Sequence, residues 1–184
     1  MNRSFLRLVC VGLVLVATAS SALATTIISR TPEELAQQSA LVVDGTVRAV
    51  RSYWNDDHSK ILTEATVAVD GTYKGKGGSQ VRVLQLGGVV GNVRMTAHGA
   101  LAWQPGEEVL LFLESSTADA YQVAGFSQGK YTIERDRSGR AFVRQAMPAD
   151  TKAGGPAATQ GAPSAATTER VALEQFLNRV LPQR

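Results

Sequence analysis

The chain of 184 residues has few groups of the kinds that carry chemistry. It contains one cysteine and two histidines, aromatic residues make up 6% of it, and its formal net charge is only +3. Two histidines leave little material for a nucleophilic triad or a histidine-rich metal site. The length fits one domain with appendages and excludes a multi-domain enzyme. An apolar content of 44% excludes wholesale disorder.

The N-terminal segment 1–24 predicts a cleaved signal peptide. Arg3 and Arg7 supply a basic start, and Leu8 to Ala19 is an uncharged apolar run too short to span a bilayer. Ala22-Leu23-Ala24 then places small residues at the two positions that a signal peptidase recognises. We therefore expect an exported protein, periplasmic or secreted, whose mature chain begins at Thr25. An uncleaved membrane anchor is the alternative.

Removal of this segment changes the chemistry of the chain. The only cysteine, Cys10, leaves with it, and Arg7-Leu8-Val9 lacks the small residue that precedes a lipidated cysteine. The mature chain keeps 17 basic and 16 acidic residues, a net charge of +1. This balance gives no reason to expect a nucleic-acid partner. Without a cysteine, stability must come from the core.

A short helix is predicted at the start of the mature chain. Thr31 suits the N-cap, Pro32 suits the first helical position, and Glu34 completes a capping box. The helix is expected to end near Ser39.

Alternating apolar residues predict about seven strands after this helix. The strands are expected to begin at Leu41 and Ile61 and to cover 81–86, 109–113, 121–126, 130–135 and 140–144. The alternation changes phase near Ala49 to Arg51, which predicts a β-bulge in a long first strand. Short connections and one early helix favour a mainly β fold, a small antiparallel OB-like β-barrel spanning residues 25–145.

The segment from Gly87 to Gly106 is the predicted binding face. It has twenty residues, five glycines and no sustained periodicity. A long irregular loop on a rigid barrel is where recognition usually takes place. We expect it to fold back over one end of the barrel with Met95, Leu101 and Trp103 pointing inward. The candidate binding residues are Trp54, Gly87, Gly88, Asn92, Arg94, His98 and Trp103.

The C-terminal part predicts a linker followed by an amphipathic helix. The segment 146–168 consists mostly of Ala, Gly, Pro, Ser and Thr, a composition typical of a flexible linker. Residues 169–184 carry an apolar helical face formed by Leu173, Phe176, Leu177, Val180 and Leu181. This face is expected to dock on its own barrel; docking in a groove of a partner is the alternative.

No catalytic residue, metal site or cofactor is predicted. Gly125-Phe126-Ser127-Gln128-Gly129 matches the nucleophile-elbow pattern, but strand-like sequence follows it and no histidine lies downstream. The segment favours a glycine-permitted bend between strands. Asp56-Asp57-His58 stands alone as a possible metal-binding group and is better explained as a solvated hairpin tip.

Residues 31–135 resemble a group of small exported bacterial proteins that are often encoded near secreted metalloproteases. The similarity rests on five short stretches: Leu41–Val47, Tyr73-Lys74-Gly75, Gly87-Gly88, Gly106-Glu107-Glu108-Val109, and Gly125 followed by Gln128–Tyr131. The opening also resembles the netrin-like OB barrel of metalloprotease inhibitors. Those inhibitors chelate zinc through an N-terminal cysteine, and Thr25 stands there in this chain. The resemblance therefore implies the fold but not that inhibitory mechanism.

Together these features predict an exported, non-catalytic binding module for a protein or peptide partner, with a secreted protease as one candidate. An envelope polysaccharide-binding accessory protein, using exposed aromatic residues, is the alternative, and a small serine hydrolase is the third. The exposure of Trp54 distinguishes a protein partner from a sugar. The absence of a base near Ser127 distinguishes a module from an enzyme.

Overall fold

The computed structural model describes residues 29–148 and 170–181. The predicted signal peptide, its cleavage site and Cys10 lie outside the described residues. So does the predicted linker from residue 149 onward.

The N-terminal helix, α1, spans Pro32–Gln38. The Thr31 side chain accepts from the Glu34 backbone N–H, and the Glu34 carboxylate accepts from the Thr31 backbone N–H, so the predicted capping box forms. The helix ends at Ser39, whose backbone N–H and side chain both donate to the Leu35 carbonyl. Its start and end are as predicted.

The rest of the fold is mainly β, as expected. The elements are β1 Leu41–Trp54, β2 Ile61–Lys74, β3 Gln80–Leu86, β4 Gly88–Val90, β5 Val93–Met95, β6 Glu108–Thr117, β7 Ala120–Val123, β8 Lys130–Arg135, β9 Ala141–Gln145, β10 Val171–Ala172 and the C-terminal helix α2 Leu173–Val180. The described residues contain ten strands where about seven were predicted, because the shortest strands have no periodicity of their own. β7 ends at Val123 and not at Phe126.

Eight of these strands form one sheet in the order β1-β2-β3-β7-β6-β8-β9-β10, and β1 also pairs with β6. The prediction of an antiparallel sheet was wrong at one place, because β3 and β7 pair in parallel at Val83 and Tyr121. After β3 the chain returns in the opposite direction along β6 and then reverses into β7. β7 therefore runs in the same direction as β3. Sequence alternation indicates strands but does not reveal such a crossover.

The predicted bulge in the long first strand is confirmed. The β1–β2 register shifts between Val47 and Ala49, with two further shifts nearer the start of β1. Before the shift Val47 is buried, whereas Arg48 and Ala49 are both exposed. An extra residue in one strand bends it and increases its twist, which lets one strand contribute to two pairings.

The apolar interior consists of two clusters on opposite sides of β1 and β6. One contains residues of α1 and α2, among them Leu35, Phe112, Tyr131 and Phe176. The other contains Leu41, Val43, Val47, Val67, Val81, Val83, Leu101, Val109, Leu111, Leu113 and Val123. Adjacent residues of β6 enter different clusters, which explains why its continuous apolar run is buried throughout.

The C-terminal helix docks on its own domain, as expected. Leu173, Phe176 and Val180 are buried, and the Phe176 ring lies 4.8 Å from Tyr131 and 6.3 Å from Phe112. The helix begins later than the predicted residue 169, because Val171 first pairs with Val143 as a strand.

The segment from Gly87 to Gly106 is more regular than predicted. It contains the β4–β5 hairpin, which forms a separate two-stranded sheet. Leu101 is buried and Trp103 packs on the second cluster, as expected, while Met95 is half-buried. Leu101 also forms an isolated bridge with Pro148, so the first residues after Gln145 lie against the domain.

Candidate functional site

A cleft of about 590 Å³ lies between the ends of β3 and β7. Its walls are the last residues of both strands, the segment 97–100, the turn after β7, and two charged residues from elsewhere in the chain. The lining residues are Arg30, Leu84, Gln85, Leu86, Ala97, His98, Gly99, Ala100, Glu114, Gln122, Val123, Gly125, Phe126 and Gln128. A concave site of this size, mostly apolar with a few polar groups, suits a ligand segment.

The turn of residues 124–129 forms one wall of the cleft. Gly125 and Phe126 both adopt left-handed backbone, at φ values of +60° and +63°. Gly129 closes the turn by donating from its N–H to the Ala124 carbonyl at 3.0 Å. A Cβ at Gly129 would lie 2.8 Å from the carbonyl oxygens of Ala124 and Phe112, so only glycine fits there.

Phe126 is the most exposed large apolar side chain among the described residues, at 68%. Left-handed backbone costs a residue with a Cβ about 1–2 kcal/mol. Leu86, across the cleft, is also exposed. The cleft therefore has an apolar mouth on a strained turn.

The nucleophile-elbow pattern at Ser127 coincides with this turn. Ser127 is buried, with 9% of its surface accessible, and the strand β8 follows it at Lys130. The elbow requires a helix after the serine, which raises the hydroxyl into an open site. The bend between strands is as the sequence predicted.

Polar side chains fix the rim of the cleft. The Arg30 backbone N–H donates to Gln128 Oε1 at 2.8 Å, and the Arg30 guanidinium pairs with Glu114 at 3.6 Å. Gln145 donates in turn to the Gln128 carbonyl at 3.0 Å. Arg30 and Glu114 are the basic and acidic residues of the lining that carry full charges, and they offset each other.

A second cavity of about 220 Å³ lies on the other side of Gln85. The Gln85 amide donates to the Leu101 carbonyl at 2.9 Å and accepts from the Leu101 N–H at 3.1 Å. It also accepts from Trp103 Nε1 at 3.0 Å. One side chain thereby holds the segment 97–103 at a fixed distance from β3 and separates the two cavities.

Lys130 fixes the end of the segment 97–103. Its side chain is almost fully buried, and its Nζ donates to Glu107 at 2.8 Å and to the Ala102 carbonyl at 2.7 Å. The ammonium also lies 4.5 Å from the centre of the Trp103 ring. A buried charge needs such partners, so removing one of them should be strongly destabilising. Lys130 is a positioning residue for the cleft wall.

The structure distributes the predicted binding residues over three places. Gly87, Gly88, Arg94 and Trp103 line the smaller cavity, and His98 lines the larger cleft. Trp54 and Asn92 line neither. Trp54 is half-buried, and its ring is nearly parallel to that of His58 at 6.2 Å.

The contributors that sequence reasoning missed are Arg30, Gln85, Leu86, Gln122, Phe126 and Gln128. The sequence did contain a signal for Phe126. It lies between Gly125 and Gly129 in a predicted bend, and an aromatic residue in a bend need not be part of the core. Gln85 and Gln122 had none, because polar positions of a strand look alike in sequence whether they face solvent or a cleft.

A cluster of charged residues lies across the neighbouring strands β1, β2 and β3, and none of its members lines the cleft. Glu64 on β2 is buried and accepts from Arg51 on β1 and from Arg82 on β3, with shortest distances of 2.9 and 2.6 Å. Burial alone would raise the pKa of Glu64, but the hydrogen bonds from Arg82 and Arg51 outweigh it and leave that pKa lowered. The Arg51 guanidinium also lies over the Tyr53 ring at 5.2 Å.

The described ranges, 29–148 and 170–181, contain no group of three or more His, Cys, Asp or Glu side chains arranged to hold a metal ion. Asp57, from the predicted hairpin tip, instead accepts from the Ser59 hydroxyl and backbone N–H, and these bonds lower its pKa. None of the helices in the described ranges is long and apolar enough to cross a membrane.

Comparison with protein-family models, curated proteins and solved structures found no match to this chain.

Proposed function

We propose that this protein is an exported, non-catalytic module that binds a protein or peptide segment in the larger cleft. The observation that carries the proposal is Phe126, an exposed apolar side chain at the cleft mouth on left-handed backbone. Backbone strain of this kind clusters at ligand clamps, and apolar surface around a concavity is typical of an interaction site. Because this side chain is exposed, burial does not offset its backbone strain in the free protein, and a ligand contact would supply that burial.

The lining favours a peptide over other ligands. Leu84, Leu86 and Phe126 offer apolar surface, while the Gln122 amide can both donate and accept. A peptide requires both kinds of contact, because its side chains need apolar partners and its backbone needs hydrogen bonds.

The two alternatives have weaker support. For a sugar platform, Trp54 is half-buried beside His58, and Lys130 covers one face of Trp103. For a serine hydrolase, Ser127 is buried within a turn that leads into a strand. Export rests on the signal-like segment 1–24, and a secreted protease enters the partner class on the sequence resemblance alone.

The proposal includes a fold assignment, a five-stranded barrel of the OB type. The supporting feature is the cycle of pairings β1–β2, β2–β3, β3–β7, β7–β6 and β6–β1, in which each of five strands has two neighbours. An OB fold is a five-stranded, partly open Greek-key barrel. The cleft then lies at the weakest pairing of the barrel wall, between β3 and β7.

The test is a selection of random seven-residue peptides, displayed on phage, against residues 25–184. The dissociation constant of the most enriched peptide is then measured by calorimetry for the wild type, Phe126→Ser and Met147→Ser. Met147 is the matched control, because it is exposed and apolar but lines neither cavity. We expect Phe126→Ser to weaken binding at least tenfold and Met147→Ser to leave it unchanged.

Failure to enrich any peptide, or equal binding by Phe126→Ser and the wild type, would refute the proposal. Binding of a soluble bacterial polysaccharide that is lost in Trp54→Ala would support the sugar alternative instead.

A further inference from the structure

We propose that the bound segment adds to the sheet as a β-strand in the gap between β3 and β7, an inference that rests on the function proposed above. The two strands pair in parallel at Val83 and Tyr121 alone. The residues that follow on each strand, Leu84–Leu86 and Gln122–Val123, line the cleft. The cleft is thus a place where two neighbouring strands of one sheet separate.

The hydrogen-bonding pattern of β3 shows which of its backbone groups face the gap. At the two ends of the β2–β3 ladder, the Val69 N–H donates to Ser79 and the Gly87 N–H donates to Ile61, at 3.0 and 2.8 Å. In an antiparallel ladder the bonded residues alternate, so the odd-numbered residues of β3 bond to β2. The backbone groups of Leu84 and Leu86 therefore point away from β2, toward β7.

The same argument applies to β7. The Ala124 N–H donates to the Phe112 carbonyl at 2.9 Å, and Gln122 lies opposite Glu114 in the β6–β7 ladder. The even-numbered residues of β7 therefore bond to β6, and the N–H and C=O of Val123 point toward β3. Leu86 and Val123 thus face the gap from its two sides.

The β3–β7 ladder of the described residues contains no pair beyond Val83 and Tyr121, so Leu86 and Val123 lie past its end. Backbone N–H and C=O groups that face such a gap need a hydrogen-bond partner. An extended peptide would supply these bonds, which is the mode called β-strand addition. The Leu84 N–H already serves the pairing with Tyr121, so a peptide bonded to the Leu84 carbonyl and the Leu86 N–H requires about three residues, a length of roughly 10 Å.

The surroundings define the chemistry of that peptide. Side chains alternate along an extended segment, so every second residue would face Phe126 and Leu86 and should be apolar. The Arg30–Glu114 pair leaves the lining without net formal charge, which suits an uncharged segment. The occupant is therefore an extended, uncharged stretch of a partner protein with apolar residues at alternate positions.

The test removes one main-chain donor without disturbing the ladder to β2. Leu86→Pro deletes the N–H that faces the gap, and proline is tolerated where the N–H is not used by the neighbouring strand. Leu86→Val is the matched control, since it keeps both the donor and an apolar side chain. With the peptide enriched in the selection above, we expect Leu86→Pro to weaken binding at least tenfold and Leu86→Val by less than threefold.

A second measurement tests strand addition even if Leu86→Pro fails to fold. Backbone N-methylation is moved along the peptide and binding to the wild type is measured. Strand addition predicts that the peptide positions bonded to β3 or β7 lose binding, while positions beyond the gap tolerate the methyl group. The amides of Leu86 and Val123 should also gain protection from hydrogen exchange when peptide is added.

Equal binding by a folded Leu86→Pro and by Leu86→Val, or tolerance of N-methylation at every peptide position, would overturn strand addition. The proposed function would still stand in that case if Phe126→Ser abolished binding. If Phe126→Ser had no effect, the function itself would be wrong.

Discussion

Phe126 has a backbone conformation that suits glycine, yet it carries a large apolar side chain into solvent. Selection for stability alone would not retain such a residue, because the strain is not offset by burial. The same side chain lies at the mouth of the cleft, where it can contact a ligand. At this position binding and stability make opposite demands.

We therefore expect Phe126→Gly to leave the protein at least as stable as the wild type. Relief of left-handed strain, about 1–2 kcal/mol, opposes a glycine entropy cost of about 0.5–1 kcal/mol. The free energy of unfolding, from urea denaturation, should stay unchanged or rise by up to about 1.5 kcal/mol. A clear loss of stability in this variant would show that the ring stabilises the turn.

Glu64 predicts a pH dependence of stability. Its pKa is lowered in the folded protein from the ordinary value of 4.5, so the unfolded chain binds its proton first as pH falls. Its contribution is complete above pH 4.5 and is lost as pH falls through the lower, folded value. Because both arginines are partly exposed, we estimate that contribution at about 1–2 kcal/mol.

The check is urea denaturation of the wild type and Glu64→Gln between pH 3 and 7. The difference in unfolding free energy should be constant near neutral pH and shrink below pH 4.5. Glu134→Gln is the control, since its carboxylate is exposed on an ordinary surface pair with Arg144. A difference that stays constant down to pH 3 would contradict the argument.

At the scale of elements, α2 shows how a short helix is stabilised by the sheet. It has eight residues, fewer than an isolated helix needs in water. Its first residue follows directly from the β10 pairing with β9, and its apolar face completes the first core cluster. The helix therefore belongs to the domain and is not a free recruiting segment.

Phe176→Ala is accordingly expected to reduce stability by about 3–5 kcal/mol, because it removes a ring packed against Phe112 and Tyr131. The neighbouring exposed position provides the control, and Gln175→Ala should change stability by less than about 0.5 kcal/mol. Thermal denaturation of both variants provides the measurement. Similar melting temperatures would mean that the helix does not dock in solution.

The segment 87–106 shows that a wall of the cleft can also be part of the core. Leu101 is buried, and Glu107 just beyond the segment pairs with Lys130. Replacing the whole segment would therefore unfold the domain as well as remove the cleft. Within this segment, changes should be limited to the tip of the β4–β5 hairpin, so that an effect on the cleft is not mixed with unfolding.

At the scale of the whole molecule, β1 holds the structure together because it pairs with β2 on one side and β6 on the other. Gly45 lies in the part of β1 that makes both pairings. A Cβ there would collide with the Ala68 carbonyl oxygen of β2. The close approach of the two backbones requires glycine at this position.

Gly45→Ala should therefore weaken both pairings, with a loss of at least about 2 kcal/mol. Gly78→Ala is the control, because the nearest atom to its added Cβ is the Gln80 carbonyl at 3.6 Å. Thermal denaturation should separate the two variants clearly. An unaffected Gly45→Ala would show that β2 can move away from β1 at no cost.

Several features followed from the sequence alone. The capping box at Thr31 and Glu34, the bulge near Ala49 and the apolar face of α2 were all predictable. Each depends on residues a few positions apart in the chain, through capping or side-chain periodicity. Such local rules also identified a mainly β fold.

Tertiary structure alone decided the site. The parallel contact of β3 with β7, the cleft beyond it, and the burial of Lys130 against Glu107 join residues far apart in the chain. Sequence periodicity does not say which strands become neighbours or where their pairing ends. Whether Gln85 and Phe126 face solvent or a cleft depends on that pairing. The role of a side chain depends on the groups that the tertiary structure places next to it.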